Sequence, residues 1–172
     1  PMSENEEFIR EFLEECDENL DQLDKDLVAL EQSPRDTKRL ESIFRTIHTI
    51  KGTSGFFGFA KLGALAHDGE SLLGRLRDGE LVLNQEITST LLQLLDGVRD
   101  MRASIRDSGG EGATDYQGLS ASLIRLALSP GCEPEEKEAG AGTERESETD
   151  ALVEREREVG LSEPAEVAEN GL

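Results

Sequence analysis

The 172-residue sequence has no tryptophan, one tyrosine and only 4% aromatic residues in all. Runs of β-branched residues are also scarce, which argues against a sheet-rich fold. Its two cysteines, Cys16 and Cys132, stand far apart and form no CxxC, so neither a disulfide framework nor a thiolate metal site is indicated. Positive charge is in short supply, with Lys+Arg 18 against Asp+Glu 38 and a formal net charge of −20. That balance disfavours general affinity for nucleic acid or for an anionic membrane, because both need a basic surface to meet phosphates. No apolar run is long enough to span a bilayer, and no basic segment followed by an apolar one opens the chain. The expectation is a soluble, cytoplasmic protein whose partners are proteins. Pro1-Met2 reads as a remnant ahead of the natural start and takes no part in the fold argument.

What the sequence has in abundance is leucine at helical spacing over the first 128 residues. Phe8, Phe12, Cys16, Leu20, Leu23, Leu27 and Leu30 recur every three or four residues, predicting a helix of about seven turns with one apolar stripe. Ser33-Pro34 is read as its stop and as the start of a second helix reaching about Phe59, with Asp36 in the first turn. A third helix is expected from Ala60 to Arg77, carrying Leu62, Leu65, Ala66, Leu72, Leu73 and Leu76 and ending at Asp78-Gly79. Asn84 is the expected cap of a fourth, marked by Ile87, Leu91, Leu94, Val98, Met101 and Ile105 before Gly109-Gly110. Thr114 with Gln117 offers a capping box for a short fifth helix bearing Tyr116, Leu119, Leu123 and Leu126. Short connections favour antiparallel neighbours, so the fold class is all-α: an up-down four-helix bundle with an additional short helix.

Residues 3–128 form the expected domain, and residues 129–172 an acidic tail. The tail holds 14 acidic and 4 basic residues, half of the net charge, with almost no periodic apolar residues. Such a composition cannot offset the entropy of ordering, so disorder is expected there. Leu152-Val153-Glu154-Arg155-Glu156-Arg157 has some helical character, but a short isolated helix is marginal in water.

Chemistry concentrates in the second helix, at His48-Thr49-Ile50-Lys51-Gly52-Thr53-Ser54-Gly55. With Ile43 at zero on a helical wheel, Ile47, Ile50, Ser54 and Phe57 fall within about 40°, whereas His48 falls about 140° away. Gly52 and Gly55 lie within about 40° of His48, so the imidazole stands beside two positions without side chains. Interior glycine costs a helix about 1 kcal/mol relative to alanine. Either another molecule must approach closely or helices pack through small residues here, and Gly58 also suits a helix end. An outward imidazole with Lys51 three residues on can attack an electrophilic phosphorus while the lysine faces the phosphoryl oxygens. The nucleophile must be neutral with its outer nitrogen free, which requires an acceptor for the proton on the other nitrogen. Glu70, about 100° from the leucine stripe of the third helix, is the expected acceptor. His67, one turn earlier, either supports that network or is merely solvated.

These residues carry a resemblance. His48-x-x-Lys51-Gly52, Gly58, and His67-x-x-Glu70 resemble the histidine phosphotransfer (HPt) domain, in the version found at the N-terminus of the CheA family of chemotaxis kinases. The stretch from Phe12 to Leu20, Ile43-Phe44-Arg45, and Arg77-Asp78-Gly79-Glu80-Leu81 favour the chemotaxis version, and the likeness spans about residues 6 to 126. It implies that Nε2 of His48 accepts phosphate from a histidine kinase catalytic domain and passes it to an aspartate of a CheY-like response regulator receiver domain. It further implies that Glu70 bonds Nδ1–H and that Lys51 assists. Thr53-Ser54 and Asp68-Gly69 depart from the family's usual residues, and Gly69 and Gly74 weaken the helix that carries Glu70. The expected docking surface for the partner is the Gly52 and Gly55 stripe.

No GxxxxGK[ST] loop occurs, so no cofactor is expected in this chain, and ATP and Mg²⁺ belong to the partners. The chain reads as an excised N-terminal piece or a very short relative of a histidine kinase, monomeric as a phosphotransfer domain, with the tail as the start of a linker. Three other readings stand beside the chemotaxis phosphocarrier: a phosphorelay domain of a hybrid sensor kinase, a purely structural helical scaffold, and a metal site of His48, His67 and Glu70. The last is a weak constellation that lacks HExxH or repeated Glu-x-x-His spacing, so no metal is expected.

Overall fold

The computed structural model describes residues 3–131. Five helices follow one another: α1 (Glu4–Gln32), α2 (Thr37–Phe57), α3 (Ala60–Arg77), α4 (Gln85–Ser108) and α5 (Gln117–Ala127). The expected tail lies outside the described residues except for 129–131. Each of the four long helices packs on its neighbours, α1 on α2 and α4, and α3 on α2 and α4. This is the up-down bundle expected, with α5 laid against α3 and α4. No described helix is long and apolar enough to cross a membrane.

The stripes named from periodicity fill the core. Leu20, Leu23, Leu27 and Leu30 of α1 meet Ile43, Ile47 and Ile50 of α2, Leu62 through Leu76 of α3, and Leu91 through Ile105 of α4 in one apolar cluster. Phe8 departs from the expected stripe, being 57% exposed. It lies twelve residues before Leu20, which at 100° per residue is about 120° off the stripe, while the neighbouring Ile9 stays in line and packs on the core.

Helix boundaries depart from expectation at two starts. Ser33 caps the end of α1 rather than the start of α2, its N–H reaching the carbonyls of Ala29 and Leu30. Asp36 is the cap of α2, accepting from the Arg39 N–H. A carboxylate one position before Thr37 satisfies orphan amides and complements the helix dipole together, which Ser33 is too far back to do. At α5 the Thr114–Gln117 box does not form. Asp115 accepts from the Gln117 N–H instead, and Tyr116 sits at the cap position before the helix.

Two contacts from afar fix α3. Its first turn has no local side-chain cap, and Glu111 of the α4–α5 loop takes that role, accepting from the Leu62 N–H at 2.6 Å. At the other end Arg75 donates to the carbonyls of Ala127 and Ser129. Asp26, nearly buried, pairs with Arg39 at 2.8 Å and ties α1 to α2.

Gly69, which weakens α3 by propensity, is a point of close approach to α4. A Cβ added there would come within 2.3 Å of Leu94 Cδ2, and Leu94 is itself 1% exposed. Overpacking of this kind costs about 1–3 kcal/mol, against about 1 kcal/mol gained in helix propensity. Gly69→Ala is therefore expected to lower stability by roughly 1 kcal/mol, read as a lower urea midpoint with an unchanged slope. A higher midpoint would show that Leu94 gives way freely.

Candidate functional site

The link between α2 and α3 is only two residues, Gly58 and Phe59. Gly58 takes φ 77°, the left-handed cap that a side chain disfavours, and the Phe59 N–H returns to the Ser54 carbonyl. A turn this short runs α3 back along α2 in a fixed register. His48 lies nine residues before Phe57 and Glu70 ten residues after Ala60. At 1.5 Å per residue both stand about 14–15 Å from the turn, and so face each other. The same equidistance brings together Ser54 with Gly63, Phe44 with Gly74, and Glu41 with Arg77.

At that level His48 Nδ1 lies 3.1 Å from Glu70 Oε2, and the Lys51 ammonium donates to the same oxygen at 2.8 Å. Burial opposes ionisation of Glu70, but hydrogen bonds and charge from Lys51 and His48 outweigh it and hold the carboxyl below its ordinary value. An ionised carboxylate can only accept. The Nδ1 of His48 must then carry a proton, and in the neutral ring that leaves Nε2 with its lone pair. The His48 side chain is 59% exposed and Glu70 only 17%, so the imidazole faces outward over an acceptor that water reaches poorly.

Lys51 sits on Glu70 rather than standing free beside the imidazole. Its cation offsets the charge of the carboxylate, a pairing sequence reasoning did not foresee. Gly52 and Gly55 lie on the exposed face, and a Cβ added at either would meet nothing within 4 Å. Packing through small residues is therefore not the reason for these two glycines. His67 is exposed, and among the described residues nothing hydrogen-bonds its ring. Among the described residues no group of three or more His, Cys, Asp or Glu is placed to hold a metal ion.

Two aromatic and cationic neighbours went unnoticed as site residues. The Phe44 ring stacks near His48, with centroids 6.0 Å apart and planes 14° apart. The Arg77 guanidinium carbon lies 4.1 Å from the Phe44 ring centroid. Phe44 lies thirteen residues before Phe57 and Arg77 seventeen after Ala60, so the two stand within about one helical turn of each other along the pair, which was the signal available in the sequence.

Residues 7–101 match the pattern of the Hpt domain family. The chain is similar to the sensor histidine kinase CheAY of Helicobacter pylori, 39% identical over 110 residues that make up 64% of this chain and 14% of that protein. It is also similar to the chemotaxis protein CheA of Rhizobium meliloti, 35% identical over 116 residues, 67% of this chain and 15% of that one. The chain thus spans about a seventh of the length of these curated relatives. A solution structure of the histidine phosphotransfer domain of CheA superposes with a TM-score of 0.66 at 28% identity, covering 74% of this chain and 96% of that one.

Proposed function

The chain belongs to the Hpt domain family, and on that premise we propose that it is the phosphocarrier of a chemotaxis two-component system. Nε2 of His48 attacks the γ-phosphorus of ATP held by a separate kinase catalytic domain, forming the N–P bond as the bond to ADP breaks. The phosphoryl group then passes to an aspartate of a receiver domain, which returns His48 to its neutral state. The observation that carries this reading is the outward imidazole whose Nδ1 lies 3.1 Å from an ionised, largely covered carboxylate. That contact fixes the tautomer a nitrogen nucleophile needs.

Glu70 orients the ring and Lys51 offsets the carboxylate's charge. As the phosphoryl group arrives, the lysine can turn its free N–H bonds toward the new oxygens, since Lys is a flexible point charge with three donors. Gly52 and Gly55 leave the helix backbone bare beside the nucleophile, where a receiver's aspartate pocket must close for in-line transfer. ATP and Mg²⁺ enter with the partners, which places this chemistry in the cytoplasm.

Incubation with a chemotaxis-type kinase catalytic domain and MgATP is expected to give acid-labile, base-stable phosphate, with peptide mapping locating it on His48. The chain alone with MgATP should stay unlabelled. Phosphate on His67, or none with any kinase domain that labels an authentic phosphotransfer domain of this type, would sink the proposal.

A further inference from the structure

A single hydrogen bond leaves the His48 ring under-determined. The contact from Nδ1 to Glu70 fixes one point and one direction, but the imidazole can still swing about that axis. Exposed side chains change rotamer in picoseconds to nanoseconds, and His48 is 59% exposed. In-line transfer needs the Nε2 lone pair held along one line. Something flat against the ring would supply the missing constraint.

Phe44, one helical turn before His48, has that placement. Its ring is half-buried and packs on the core, and it lies within 14° of parallel to the imidazole at 6.0 Å between centroids. Aromatic pairs at 4.5–7 Å hold such offset arrangements. The Phe44 ring is itself held from two sides. Gly74 of α3 lies against its edge, where even an added Cβ would meet Phe44 Cε2 at 3.5 Å, an ordinary van der Waals contact. Arg77, one turn further along α3, covers the ring with its guanidinium at 4.1 Å, well inside the range of a cation–π contact. Arg77 is in turn fixed by Asp78 at 2.9 Å and Glu41 at 3.7 Å. The order is Arg77, Phe44, His48, with Glu70 at the edge of the last ring.

We propose that Phe44, clamped by Arg77, is a positioning residue that fixes the plane of the His48 imidazole while Glu70 fixes its tautomer. The inference rests on the phosphocarrier reading for its consequence, but its geometry can be read without any transfer. Side-chain coupling constants of His48 measured by NMR on ¹⁵N,¹³C-labelled protein report how far the ring averages among rotamers. Phe44→Leu keeps an apolar plug between α2 and α3 and removes the flat face, while Phe44→Tyr keeps the face. Arg77→Met keeps the stem and removes the cation.

Phe44→Leu and Arg77→Met are expected to show averaged His48 couplings and single-turnover phosphorylation about tenfold slower, with little change in the kinase-domain concentration giving half-maximal rate. Phe44→Tyr should restore both. Parent-like couplings in Phe44→Leu, or a tyrosine variant that restores neither readout, would overturn the proposal. So would a loss confined to the half-maximal concentration, which would make Phe44 a partner contact. Should Phe44→Leu fail to fold, Arg77→Met decides on the same two readouts. An unlabelled parent protein would remove the phosphocarrier reading, while the couplings would still decide whether the ring is held.

Discussion

Replacing Glu70 by alanine is expected to leave the bundle folded yet slow phosphorylation of His48 by about ten- to a thousandfold, the scale of lost orientation at a catalytic group. A neutral imidazole carries one proton, and in water it exchanges between the two nitrogens. Only the form with Nδ1–H leaves the outward Nε2 able to attack. Glu70 accepts that proton across 3.1 Å, and because its carboxyl is held below the ordinary range, it remains an acceptor throughout the neutral region. The sign for stability follows from the same depression. The pairing supports the fold above the ordinary carboxylate pKa and is lost as acid protonates Glu70. Alanine removes the acceptor and also leaves Lys51, now 2.8 Å from nothing, as an unneutralised cation beside the ring. The fold should tolerate this, since alanine is the best helix former and Glu70 is joined to a neighbouring helix only through groups at the surface. Glu70→Gln, which keeps an acceptor oxygen without the charge, should fall between the two. Single-turnover phosphorylation by a fixed kinase domain, together with thermal unfolding, checks the pair of expectations. An unchanged rate in Glu70→Ala would remove the residue from the mechanism.

How much of this was legible in the sequence depends on distance along the chain. The leucine and isoleucine stripes report burial directly, because period 3.6 maps onto one helix face, and His48, Lys51 and Glu70 could be placed on faces by the same rotation. Contacts between helices are a different matter. Glu111 capping α3 from 49 residues away has no local pattern, and Asp36 displaced Ser33 as a cap because only geometry decides which of two good cap residues meets an open N–H. Gly69 reads as a propensity defect in sequence, and only the clash that an added Cβ would make with Leu94 gives it a purpose. The register of α2 against α3 lay between these cases. Once Gly58 is placed as the turn, counting outward pairs His48 with Glu70 and Phe44 with Gly74, yet the count needs the two-residue link that the expected end at about Phe59 obscured.

At the glycine stripe the sequence left two readings, and the structure removes packing through small residues at Gly52 and Gly55, so that under the docking proposal stability and transfer are expected to move with opposite signs. Gly52 lies within α2, one turn past His48, on the exposed face with open space where a Cβ would stand. No neighbouring helix needs it bare. Gly52→Gln should consequently stabilise the domain, by up to about 1 kcal/mol from helix propensity. The same side chain would stand between the helix and a receiver domain closing over His48. A misplacement of about 1 Å can cost about a hundredfold in a positioned reaction, and glutamine holds the partner off by more than that unless it folds away. Transfer from phosphorylated His48 to a receiver is therefore expected to slow by about a hundredfold, while spontaneous hydrolysis, which needs only water at phosphorus, should change little. Gly69→Ala provides the internal contrast, because there the added carbon meets Leu94 and stability should fall. Urea unfolding and stopped-flow transfer on the two proteins measure both sides. Receiver transfer at the parent rate in a stabilised Gly52→Gln would show that the stripe does not set the approach, since the helix would then have gained a side chain in the path of the partner at no cost to the reaction.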